Sequence, residues 1–193
     1  NRMAYMSSPD RGLGHILKLW PYIRTIEPTA ELHIYYGWES FDRTIAHGFV
    51  HLIPLKEELE KRLDQPGIFW RGRHSQKELA QELQAADIWG YPTEFLETFG
   101  ITALEAMAAG LIVVSSRIGA IPEVVGNAGM LSPGDASSPV YQKMFLDGLD
   151  VAFHDEEVRD ELRQRSLTRV GFFTWEESYK RGWVPLLRQA VTV

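Results

Sequence analysis

The sequence contains no cysteine, so disulfides, thiolate metal sites and a cysteine nucleophile are excluded. A reducing compartment is compatible with that absence. Long apolar runs are missing too. The longest, counting glycine as apolar, is AMAAGLIVV at 106–114, nine residues and too short to cross a bilayer. No signal peptide is visible. Neither sign of charge dominates: 20 Lys and Arg against 26 Asp and Glu leave a formal charge of −6. That balance argues against nucleic acid or an anionic membrane as the main partner.

Several ligand-binding patterns are also lacking. Gly12-Leu13-Gly14 follows a strand-like stretch, but position 17 is Leu, so the third glycine of a dinucleotide fingerprint is absent. No G-x-x-x-x-G-K-[ST] loop occurs, and no two aspartates stand two apart to hold a metal–diphosphate complex. Ser115-Ser116 lacks the G-x-S-x-G elbow of a hydrolase. His47 and His51 have the spacing of a helical metal pair, but Gly48 weakens the helix and no acidic third ligand is near. Two ordinary histidines are expected there. His15, His33 and His154 have no companions that suggest chemistry.

What is present is ordinary for a globular chain of 193 residues: 45 % apolar and 24 % charged, enough for one domain with a sizeable core. RMAYMSS (2–8) and ELHIYYG (31–37) read as strands, as do GIFWRG (67–72), DIWGYP (87–92), LIVVSS (111–116) and GML (129–131). Between them lie helical patterns. One runs from Leu13 to Ile26, where Pro21 is expected to kink or divide it. Another is LKEELEKRL after Pro54, and SQKELAQELQAA (75–86) has Ser75 and Glu78 as a capping box. A further helix follows Gly100 and ends at Gly110, and IPEVVG forms a short one. Residues 38–53 carry no clear pattern, and three helices are expected from Pro139 onward. Alternating strands and helices indicate an α/β domain with a parallel sheet covered on both faces, in which ligands bind where strands end and loops enter helices.

The last segment, TWEESYKRGWVPLLRQA (174–190), places Trp175, Tyr179, Trp183 and Leu187 on one helical stripe. It either packs on the chain's own core or reaches a domain outside this chain. NRMAYMSS reads like a strand entered in mid-protein, so a piece of a longer chain is expected.

The most informative stretch is ETFGITALEAMAAG, 97–110, with carboxylates at Glu97 and Glu105. Eight helical steps of roughly 100° leave about 80° between them, so they share no face if both are helical. The spacing fits better with Glu97 in a loop and Glu105 in the second turn of the helix that follows. Glu105 then leans back toward the helix N-terminus, where free N–H groups favour an anion. Arg11, after the first strand, and RGRH (71–74), after the third, fall at the same predicted edge. An Arg beside a helix N-terminus clamps phosphate. The small residues from Ala103 to Gly110 let the helix lie close to the sheet.

With Pro92-Thr93, Glu97-Thr98-Phe99-Gly100, Glu105-Ala106-Met107-Ala108-Ala109-Gly110, Gly119 and Pro122-Glu123 in that order, residues 91–126 resemble the donor-binding region of retaining glycosyltransferases of the GT-B fold, family 4 type. SSPDRGL (7–13), residues 69–88 and LSPGD (131–135) follow the same order, so the resemblance covers roughly residues 2 to 185. It implies a Rossmann-like sheet at 1–173 that binds the donor, the C-terminal half of a two-domain enzyme. The helix at 174–193 would cross to an N-terminal acceptor domain not in this chain.

The resemblance implies roles residue by residue. Glu97 contacts hydroxyls of the donor sugar, and Arg11 stands where the family has a Lys, neutralising the leaving phosphate. Glu105 accepts from the ribose hydroxyls. Thr98, Phe99, Gly100, Ile101 and Thr102 meet the sugar and diphosphate through backbone N–H groups, with Ser7, Ser8 and Gly12 beside them. Gly72, Arg73 and His74 border the nucleobase. No metal and no cofactor are implied. The donor substrate is a nucleotide-diphosphate sugar, and the acceptor (glycan, lipid or protein) is not specified.

One departure stands out: the family usually has an Arg five residues before its Lys, and here that position is Met6. Ile112 replaces a family proline in the apolar strand. A cytoplasmic protein is implied, peripheral at a membrane through the acceptor half. Alternatives from other classes are a nucleotide-sugar binding module without chemistry and a GT-B relative such as a sugar-nucleotide epimerase or a phosphorylase. No lysine follows a motif suited to the phosphorylase cofactor. The ribose assignment is tested by Glu105→Ala, expected to weaken nucleoside diphosphate binding by about tenfold or more in calorimetry; unchanged affinity contradicts it.

Overall fold

The computed structural model describes residues 1–191. Six parallel strands form one sheet: β1 (Arg2–Tyr5), β2 (Glu31–Ile34), β3 (Ile68–Trp70), β4 (Ile88–Tyr91), β5 (Ile112–Ser116) and β6 (Gly129–Ser132), in the order β3-β2-β1-β4-β5-β6. The helices are α1 (Leu13–Ile26), α2 (Glu39–Ala46), α3 (Ile53–Leu63), α4 (Gln76–Leu83), α5 (Ile101–Ala108), α6 (Ile121–Val125), α7 (Pro139–His154) and α8 (Glu156–Val170). On one face α1 packs with α3 and α7. On the other α5 packs with α6 and α8. The α/β expectation, a parallel sheet with helices on both faces, is what the chain forms.

Burial explains the strand sequences. All five residues of β5 are buried, as a central strand between two helical layers requires. Each fully buried Val or Ile there contributes about 1.5–3 kcal/mol. Gly90 in β4 is a packing choice: a Cβ would come within 2.6 Å of Met3 Cε and 3.1 Å of Ile16 Cδ1. Ser75 and Glu78 form the expected capping box on α4, and Gly110, at φ 78°, follows the last turn of α5.

Three stretches add to or depart from what the sequence pattern shows. Of the two outcomes expected at Pro21, a kink or a division, division does not occur: α1 runs unbroken through it. Proline removes the N–H that the Leu17 carbonyl would accept, and Gln65 Nε2 takes its place at 3.2 Å. Residues 38–53 are structured, holding α2 and a 3₁₀ turn at Val50–Leu52. Their anchor is Trp38, stacked on Trp70 of β3 at 4.8 Å between centroids and meeting Phe41 edge-on at 5.5 Å. The first two strands are also shorter than expected, ending at Tyr5 and Ile34. His47 ends α2 and His51 lies in the 3₁₀ turn, and among the described residues no group of His, Asp and Glu forms a metal site.

The last segment continues as α9 (Trp175–Ser178), a π turn at Tyr179–Trp183 and α10 (Val184–Val191). Its apolar stripe stays exposed, Trp175 at 93 % and Trp183 at 61 %. No helix among the described residues is long and apolar enough to cross a membrane.

His33, in β2, shows how a polar group is accommodated inside. It is buried, its Nε2 donates to Glu31 Oε2 at 2.9 Å, and its Nδ1 accepts from Arg71 Nε at 3.1 Å. Only the neutral ring can donate from one nitrogen and accept at the other. Burial pushes its pKa below the ordinary 6.5, against the pull of Glu31. The unfolded chain therefore takes up this proton first. The stability from neutral His33 is complete above about pH 6.5 and is lost as pH falls from there through the folded-state pKa. His33→Gln is expected to flatten that acid-side loss in urea titrations at pH 5 and pH 7.5; an unchanged slope contradicts the assignment.

Candidate functional site

The strand order reverses between β1 and β4, which opens a crevice at their C-terminal ends. Ser7 to Gly12 leave β1 into one side of it, and Pro92 to Gly100 leave β4 into the other. The two loops meet at Gly12, whose φ is 132°. A Cβ there would lie 2.2 Å from the Pro92 carbonyl oxygen, so only glycine permits the approach.

Glu97 sits on this crevice with its side chain 10 % exposed. Tyr91, the last residue of β4, donates its phenol to Glu97 Oε1 at 2.8 Å, and Arg11 Nη1 lies 3.7 Å from the same oxygen. Arg11 also lies over the Phe95 ring at 4.0 Å, a cation–π contact worth about 0.5–1 kcal/mol at an exposed site. The pair expected from the two loops is therefore assembled without a ligand.

The Glu97 backbone is fixed from behind. Ala120 N–H donates to its carbonyl at 2.8 Å, and a Cβ on Gly119 would lie 2.5 Å from that oxygen. Thr93 adds a second tether: its N–H donates to Ser116 Oγ at 2.8 Å, and its own Oγ1 accepts from Phe95 N–H at 3.0 Å.

Beyond the loop, Gly100 (φ 85°) is the N-cap of α5 and no side chain caps it, so the first N–H groups of α5 are unclaimed by a cap side chain. Phe99 is half exposed and meets Phe173 at 6.1 Å. Ile101 is exposed. Ser7 is buried.

Glu105 belongs to a second group. It borders a cavity of about 320 Å³ between α4 and α5, with Gln76, Leu79, Ala80, Leu83 and Ala108. The alanines thus do two jobs. Ala103 and Ala106 pack fully buried on the core, whereas Ala108 and Ala109 leave this groove open. Glu105 has no hydrogen-bond partner among the described residues, and burial alone raises its pKa above the ordinary carboxylate value. Such a carboxylate is an acceptor without a donor. Gln76 opens α4 just after Gly72, Arg73 and His74. Of those, Gly72 is left-handed at φ 74°, Arg73 is exposed, and His74 meets Tyr35 edge-on at 5.5 Å.

Met6 is buried within the core cluster and brings no charge to the crevice. His15 has a companion after all: Glu94 Oε1 is 3.7 Å from its Nε2, and Ser137 Oγ donates to Glu94 at 3.2 Å. Tyr91, Glu94 and Phe95 were not singled out as site residues from the sequence, although the 93–96 loop was expected to bear on sugar choice. Only the tyrosine closing an otherwise apolar buried strand was a signal for the first.

The sequence pattern of the family described as glycosyl transferases group 1 matches residues 11–169. The chain belongs to that family. Among curated relatives of this group 1 domain, it is 32 % identical over 128 residues to the sulfoquinovosyl transferase SQD2 of Arabidopsis thaliana, covering 63 % of this chain and 24 % of that protein. It is 29 % identical over 167 residues to the O-antigen chain mannosyltransferase B of Escherichia coli, covering 86 % of this chain and 39 % of that protein. Among solved structures, the pneumococcal O-GlcNAc transferase GtfA, in complex with UDP and GlcNAc, superposes over 98 % of this chain and 36 % of its own. The TM-score is 0.71 at 16 % identity, a likeness of fold, and that fold is GT-B. The chain thus spans well under half the length of these proteins.

The close approach behind Glu97 can be separated from backbone conformation. Gly119 (φ 54°) and Gly72 (φ 74°) are both left-handed, but Gly72 has open space where a Cβ would sit. Gly72→Ala is expected to cost about 1 kcal/mol and Gly119→Ala about 2 kcal/mol more, because it also displaces Glu97. Equal losses in urea unfolding contradict the packing role of Gly119.

Proposed function

We propose that this chain is the donor-binding half of a glycosyltransferase that moves a sugar from a nucleotide-diphosphate sugar to an acceptor, with retention of configuration and without a metal ion. The observation that carries the reading is the Arg11–Glu97 pair, 3.7 Å apart at the switch point of the sheet and beside the uncapped start of α5. A diphosphate leaving group needs positive potential that is in place before charge develops. Arg11 and the first N–H groups of α5 supply it there. Glu97, whose carboxylate oxygens accept hydrogen bonds, suits a sugar hydroxyl. Glu105, half-buried and without a donor, suits the ribose hydroxyls, and the α4–α5 cavity gives the nucleoside room. Gly72, Arg73 and His74 border the base.

In the proposed reaction the bond from the anomeric carbon to the diphosphate oxygen breaks. The acceptor oxygen bonds to that carbon from the same face, and its proton passes to the departing diphosphate. The acceptor belongs to a domain outside this chain, toward which the exposed stripe of Trp175, Tyr179, Trp183 and Leu187 would turn. The family membership supports a transferase, and the bound UDP of GtfA supports a nucleotide donor. A second reading, a binding module without chemistry, is favoured by one observation: Met6 is apolar and buried where the resemblance expects an arginine.

Calorimetry with UDP, GDP, ADP and their hexose conjugates tests the proposal. Arg11→Ala is expected to weaken the bound diphosphate by about tenfold or more, and excess EDTA to leave wild-type affinity unchanged. Unaltered binding by Arg11→Ala, or its loss in EDTA, contradicts the scheme.

A further inference from the structure

Tyr91 is more than a core residue that ends near the site. Its ring is fully buried, stacked on Trp89 at 5.0 Å and tilted against Tyr5 at 5.9 Å, so it cannot swing. Its backbone is held as well: β4 pairs with β5, and Ser115 Oγ donates to the Tyr91 carbonyl at 2.8 Å. A phenol on so rigid a base points in one direction, and that direction is Glu97 Oε1, 2.8 Å away. Burial, foremost, pushes the Tyr91 pKa up to about 12, so the group remains a donor throughout the physiological range.

The consequence falls on Glu97. Oε1 takes the Tyr91 hydrogen bond and lies 3.7 Å from Arg11 Nη1, whereas Oε2 has no hydrogen-bond partner among the described residues. A carboxylate free to rotate would present either oxygen, in any plane. This one is pinned at one oxygen by a donor that does not move.

We propose that Tyr91 is a positioning residue: it fixes the plane of the Glu97 carboxylate so that Oε2 alone is offered to a hydroxyl of the donor sugar. This rests on the proposed function. It adds that selectivity for the sugar, as distinct from the nucleotide, is set from within the sheet by a side chain that touches no ligand.

The experiment is calorimetry on the 193-residue chain with UDP, GDP and ADP and with UDP-glucose, GDP-mannose and ADP-glucose. It compares wild type, Tyr91→Phe, Glu97→Gln and the double variant. Tyr91→Phe keeps the buried ring and is expected to bind the diphosphates as wild type does, while losing about tenfold in affinity for the sugar conjugate. Glu97→Gln distinguishes orientation from packing. With Tyr91 present, the amide oxygen is held by the phenol and the NH₂ is offered to the sugar, which costs affinity. In the double variant the ring carries no hydroxyl and the amide is free to turn, so the second substitution costs nothing further or restores part of the loss.

Equal weakening of diphosphate and conjugate by Tyr91→Phe overturns the inference, as does wild-type behaviour or an additive loss in the double variant. If Tyr91→Phe does not fold, Glu97→Gln alone decides, since conjugate affinity equal to wild type defeats the pinning. Wild type that binds no nucleotide and no conjugate defeats the proposed function along with the inference. Intact diphosphate binding with an unaffected Tyr91→Phe defeats the inference alone.

Discussion

The Glu97 loop is clamped between two parts of the sheet that the sequence keeps far apart. From β4 the Tyr91 phenol holds the carboxylate at 2.8 Å, and from the turn after β5 the Ala120 N–H holds the carbonyl at 2.8 Å. Gly119 allows that turn to come close, since a Cβ there would overlap the Glu97 backbone. The rest of the crevice is arranged around this clamp. Arg11 has a fixed carboxylate to lie against, Phe95 covers its guanidinium, and α5 starts from a loop that cannot drift.

Preorganisation of this kind matters because of when charge develops. A diphosphate becomes a leaving group over the lifetime of one bond-breaking event, so dipoles and cations that must first rearrange lose much of their effect. In the unliganded chain Arg11 is partnered by Glu97 at 3.7 Å, a separation at which the attraction is modest and the guanidinium stays available to an anion. The groups on the α5 side differ in character. Glu105 is partnerless among the described residues and half-buried, so it gains from any ligand hydroxyl, and its groove exists because Ala80 and Ala108 are small. In the proposed reading, Arg11 and the α5 N-terminus would serve charge and Glu105 neutral hydroxyls.

How much of this was legible in the sequence depends on the range of the interaction. The helix after Gly100, the capping box at Ser75 and the buried strand at 112–116 are set by local pattern, and all three form as read. That Arg11 and Glu97 fall on one edge followed from the alternation of strands and helices alone. What local pattern did not show has long-range causes. Pro21 leaves α1 whole because Gln65, 48 residues from Leu17, satisfies the carbonyl it frees. Residues 38–53 carry little pattern because Trp38 finds its partner in Trp70, on another strand. His15 and His33 looked solitary because Glu94 and Arg71 reach them from other elements. Tyr91 was read as strand and nothing more, since its role depends on where a loop returns.

The central claim, that the switch-point crevice binds a nucleotide sugar between Arg11, Glu97 and the start of α5, is tested most directly by amide NMR. Titrating the isotope-labelled chain with UDP-glucose, GDP-mannose and ADP-glucose is predicted to shift the amides of Gly100, Ile101 and Thr102 together with those of Arg11 and Gly12. Those in the exposed α9–α10 segment should stay unchanged. Shifts confined to other surfaces, or a spectrum unaltered by every nucleotide sugar, would contradict the account.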